Sequence, residues 1–76
     1  MNVEAARTFL WDFFGPHALR TAAHFERHLQ EFLQKNGCPG LTGLESEGEG
    51  HQAVSCAVSA DWSERIQQAL KPKRWR

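Results

Sequence analysis

The stretch "PHALRTAAHFERHLQEFLQKNG" constrains this chain more than any other. Ala18, Leu19, Ala22, Phe25, Leu29, Phe32 and Leu33 fall on one face at about 100° per residue, so the segment predicts an amphipathic helix that needs an apolar surface to cover it. Asn36-Gly37 supplies the C-terminal stop. Two starts fit: Pro16 in the first turn, or Thr21 as N-cap after a connecting loop over residues 15–20.

A surface of the right kind follows in "LTGLESEGEGHQAVSCAVSA", which predicts a β-hairpin around Gly48-Glu49-Gly50. With those three residues as the loop, Glu47 faces His51, Leu44 pairs with Val54 and Thr42 with Cys56. Val54, Cys56 and Val58 then share one face of the second strand, and Ala53, Ser55, Ala57 and Ser59 the other.

Two further helices are expected. Over residues 2–14, Val3, Ala6, Phe9, Leu10, Phe13 and Phe14 recur at helical spacing until Gly15-Pro16, with Trp11 off the stripe. Near the C-terminus, Asp61 is the expected N-cap with Glu64 three positions on, and Trp62, Ile66, Ala69 and Leu70 form an inner face that ends before Pro72. The expected order is α-α-β-β-α: a small α+β domain over residues 1–70, its antiparallel hairpin packed against helices, with a basic tail at residues 71–76.

A chain of 76 residues can build only a thin core, and such chains generally need a staple or a partner. Cys38 and Cys56 form neither a C-x-x-C pair nor a disulfide framework, so both are expected as free thiols. A two-stranded sheet is marginal alone and leaves open edges. The expectation is therefore a homodimer, with two copies joining hairpins edge to edge or packing their aromatic first helices. No apolar run reaches the ~18–20 residues of a membrane helix, and the N-terminus lacks signal-peptide features. A cytoplasmic protein without membrane contact is expected.

Formal charge is zero, but Lys71, Lys73, Arg74 and Arg76 are concentrated in the tail, leaving five basic against nine acidic side chains elsewhere. That balance argues against a general polyanion binder and confines any basic footprint to the tail. There Trp75 adds a stacking surface, so one use of "KPKRWR" is to hold single-stranded nucleic acid. Another is to meet Glu45, Glu47 and Glu49, in the same chain or in a partner.

His24 and His28 stand four apart on a solvent-facing helical column with Glu31 beyond them. Two histidines fall short of the three or four ligands zinc requires, so the column reads as a solvated or contact face and no metal is expected. Cys56 alternates with core valines and reads as an inert thiol. Cys38, in a Gly-rich loop after a helix, is expected to be exposed, but it has no nameable base beside it. The stretch "GCPG" has G-x-x-G spacing but neither the basic residues nor the helix-to-helix setting of a nucleic-acid clamp.

The expected function is that of a non-enzymatic, cofactor-free binding or adaptor protein acting through macromolecular contacts. Its expected partner is another protein, met through Trp11, His24, His28, Lys71, Lys73, Arg74, Trp75 and Arg76. The alternative is a nucleic-acid-binding accessory protein that uses the tail.

Overall fold

The structure, a computed structural model, describes residues 7–76. Its elements run β1 (Arg7–Phe14), α1 (Ala18–Lys35), β2 (Gly40–Gly48), β3 (His51–Val58), α2 (Ala60–Leu70) and β4 (Arg74–Trp75). The strands form one antiparallel sheet in the order β2-β3-β1-β4. β3 lies between β1 and β2, and β1 between β3 and β4, which is a split β-α-β arrangement.

This order corrects the expected α-α-β-β-α. The segment expected as a first helix is a strand where it is described, and residues 2–6 of that expectation lie outside the described residues. The reason lies in where β1 sits. As an inner strand it is apolar on both faces, so its sequence lacks clean alternation and imitates a helical stripe. Phe9, Trp11 and Phe13 point to one side and Leu10 to the other, which places Trp11 in line with its neighbours instead of off a stripe. The aromatic run "FLWDFF" also has the residue types that suit a pleated surface.

The core lies between the Phe9/Trp11 side of the sheet and the two helices. Phe9, Trp11, Val54, Cys56 and Val58 meet Ala22, Leu29 and Leu33 of α1 and Ile66 of α2, while Phe13, Phe25, Phe32, Trp62 and Leu70 pack around them. Phe25 sits tilted against both Trp11 and Phe13, with ring centroids 5.2 and 5.5 Å away. Thr42 ties β2 to α1, donating to Glu26 and accepting from Gln30.

The hairpin register agrees with the sequence reading: Leu44 opposes Val54 and Thr42 opposes Cys56. Gly48, not Glu47, faces His51, because a bulge between Ser46 and Gly48 absorbs one residue and leaves Glu49-Gly50 as the turn. Gly50, at φ 70°, takes the left-handed geometry that such a turn requires.

Helix α1 starts at Ala18, between the two expected positions, and its C-cap Asn36 donates its side-chain amide to the Phe32 carbonyl. Gly37, at φ 68°, turns the chain out of the helix. Helix α2 is preceded by Ser59 as N-cap; Asp61, expected there, lies in the first turn, where its charge favours the helix dipole. Lys71 closes α2 in the left-handed conformation at φ 48°, and the chain then reverses into β4.

Candidate interaction surface

The sheet's two edge strands are unequal: β4 has two residues and β2 nine. On the β1 side the tail supplies cover: Lys73 donates its amide to the Leu10 carbonyl, and Thr8 and Arg76 exchange two backbone hydrogen bonds at 3.2 and 2.8 Å. Among the described residues β2, on the opposite side, pairs with β3 alone, and none of its nine residues is buried. Its outward amides and carbonyls face solvent along the length of the strand. Leu41 and Leu44 are both exposed on it, at 78% and 40%.

The side of the sheet away from the helices is not bare either. Leu10 and Ala53 point to that side, yet both are fully buried. Arg74 is placed beside Leu10 and Arg76 beside Thr8 by the β1–β4 register, so both side chains lie over this face. Arg74 holds Asp12 with its Nε 3.0 Å from Oδ2 and its Nη2 2.8 Å from Oδ1, and its Nη2 also lies 3.5 Å from Glu47. Arg76 grips Glu45 in a two-pronged contact at 3.1 and 2.6 Å. Both guanidinium groups are thus held by carboxylates over this face.

The carboxylates respond to these partners. Asp12 is lowered to about 2, chiefly by its hydrogen bonds from Arg74, against the opposing cost of burial and with further help from His51. Glu45 is lowered by Arg76. His51 places its Nε2 2.9 Å from Asp12 Oδ1 and stacks on Phe14 with centroids 4.3 Å apart.

The residues expected to form a contact surface are scattered. Trp11 is 5% exposed, and its indole N–H donates to the Leu70 carbonyl at 2.9 Å, which pins the end of α2 to the sheet. His24 and His28 are exposed with their Nε2 atoms 3.0 Å apart, and His28 Nδ1 lies 3.5 Å from Glu31. Among the described residues no group of three His, Cys, Asp or Glu side chains is placed to hold a metal ion.

The tail splits between the two sides of the sheet. Arg74 and Arg76 lie across the helix-free face, whereas Trp75 lies on the helix side beside Phe9, 57% exposed, with the Arg7 guanidinium 3.9 Å from its ring centroid. Lys71 and Lys73 are exposed.

Asp12, His51 and Leu44 were not singled out from the sequence as contact residues, whereas Glu45 was one of the hairpin carboxylates that the tail was expected to be able to meet. Asp12 did carry a signal, as a lone charge inside "FLWDFF". A buried-strand carboxylate of that kind implies a cation supplied from elsewhere in the fold. Both thiols are buried, and burial raises Cys38 and pushes Cys56 up to about 11. Among the described residues no helix is long and apolar enough to cross a membrane.

No protein-family model, curated protein or solved structure matches this chain.

Proposed function

We propose that this chain is a non-enzymatic protein-binding domain that accepts an extended strand from a partner along the outer edge of β2. The observation that carries the reading is the asymmetry of the sheet. At one edge the chain's own two-residue β4 caps β1 at Phe9 and Leu10, while the other edge is a full nine-residue strand with backbone groups directed outward. Strand addition to such an edge draws affinity from main-chain hydrogen bonds and specificity from alternate side chains. A second copy and an unrelated protein are both able to supply that strand.

Engagement of Arg74 and Arg76 by Asp12, Glu45 and Glu47 supports this reading over the nucleic-acid alternative, since half of the tail's cations already have partners. The buried thiols with raised pKa support a binding role over thiolate chemistry.

The test is selection of peptides from a displayed random library against the folded chain, followed by amide exchange of the complexes. The expected ligands are extended, strand-forming peptides whose binding slows exchange along Gly40–Gly48. Ligands that protect only other surfaces, or a failure to select any, would overturn the reading. Salt-sensitive binding of single-stranded DNA or RNA that disappears on removal of residues 71–76 would move the assignment to nucleic acid.

A further inference from the structure

We propose that the strand taken by this edge comes from a second copy of the chain, β2 pairing antiparallel with β2 across a twofold axis at Leu44. The inference rests on the reading of β2 as a docking edge and specifies its occupant and register. Leu44 is the middle residue of Gly40–Gly48, so a twofold there matches the whole strand with its copy. Leu44 then faces Leu44, Gly43 faces Glu45, Thr42 faces Ser46 and Leu41 faces Glu47. The bulge after Ser46 limits the regular ladder to residues 42–46, with Leu44 at its centre.

Charge selects this register. Keeping both helix layers on one side of the joined sheet requires that residues of the same face oppose each other. Moving the axis one residue toward the hairpin sets Glu45 against Glu45, and moving it two sets Glu45 against Glu47; like charges directly opposite are destabilising. Moving it one residue the other way sets Gly43 against Gly43, leaving no side chain at the axis, and places each Leu44 against Thr42, whose hydroxyl is already engaged by Glu26 and Gln30. At Leu44 no carboxylate opposes another, and two exposed leucines cover each other on the helix side. Zero formal charge removes any net repulsion between copies.

The geometry provides its own test. Directly opposed residues have Cα atoms about 4.5–5.5 Å apart, within the span of a disulfide. Leu44→Cys in the full chain is therefore expected to form an intermolecular disulfide under mild oxidation, whereas Leu41→Cys, more exposed but beyond the ladder and away from its own copy, is not. The buried native thiols do not compete.

Light scattering at high micromolar concentration is expected to give twice 8.7 kDa for the unmodified chain. Leu44→Lys, which sets two cations against each other at an exposed position, is expected to weaken the dimer by about tenfold or more while leaving the circular dichroism spectrum unchanged. A monomer under these conditions would overturn self-pairing, and peptide selection would still report separately on whether the edge accepts a strand. A dimer that tolerates Leu44→Lys, or in which Leu44→Cys links no better than Leu41→Cys, would equally overturn it.

Discussion

Arg76 and Glu45 meet at 2.6 Å although Arg76 directly follows β4 and Glu45 lies in β2, at opposite edges of the sheet with β1 and β3 between them. Strands lie about 4.8 Å apart, so the pair bridges a width that neither side chain could cover alone. The result is a clasp over Leu10 and Ala53, and it has measurable consequences.

Removing the clasp should lower stability in steps. Arg76→Ala, whose pair is half exposed, is expected to lower the urea midpoint only slightly. Arg74→Ala leaves the mostly buried Asp12 without its main partner and should lower the urea midpoint further. Urea denaturation would show the midpoint falling while the slope holds. A midpoint insensitive to both changes would mean that the clasp is not formed in solution.

Acid should weaken the protein through Asp12. Its folded-state pKa, about 2, lies below the unfolded value near 3.8, so its contribution is complete above about pH 4 and is lost as pH falls toward 2. The shift corresponds to on the order of 1–2 kcal/mol once the exposure of Arg74 is allowed for. Urea midpoints between pH 5 and pH 2 should fall less steeply in Asp12→Asn than in the unmodified chain. Parallel curves would refute the assignment.

Trp11→Phe removes the indole that donates to Leu70 and leaves that carbonyl without this partner. The expected loss is about 1–2 kcal/mol, together with a red shift of the tryptophan emission, because Trp62 is only half-buried and Trp75 largely exposed. An unchanged emission maximum would place Trp11 in a wetter setting than the core.

The two thiols should be nearly inert to a disulfide-exchange reagent in the native protein and react fully in denaturant, since both are buried and raised in pKa. Fast reaction of one equivalent without denaturant would show that the core beside Cys38 opens readily.

Zinc at stoichiometric concentration should leave the melting temperature unchanged, because His24, His28 and Glu31 form a short exposed chain of contacts without further ligands among the described residues. A rise of several degrees would identify a site completed by another molecule.

What the sequence discloses follows from how local each signal is. Helix α1 and the hairpin register were legible because their apolar periodicities and glycine stops lie within a single element. Strand β1 was not, because burial of both Trp11 and Leu10 removes the alternation that distinguishes a strand from a helix. The tail's role as β4 was hidden for a different reason. A two-residue strand has no periodicity, and its docking depends on Thr8 and Leu10, more than sixty residues away. The acidic hairpin and the basic tail were each recognisable as charge blocks, and their meeting within the same chain was one of the readings the composition left open. Leu44 as a centre of symmetry required knowledge of which sheet edge is left uncovered.

The interior position of β1 also bears on how the chain is made. Its hydrogen-bonding partners, β3 and β4, are both synthesised later, β4 at the far end of the chain. At ~5–20 residues per second, "FLWDFF" leaves the ribosome seconds before His51–Val58 can pair with it. During that interval the most aromatic stretch of the chain is an unpaired strand, so the nascent protein depends on early helix α1, or on a chaperone, to shield it.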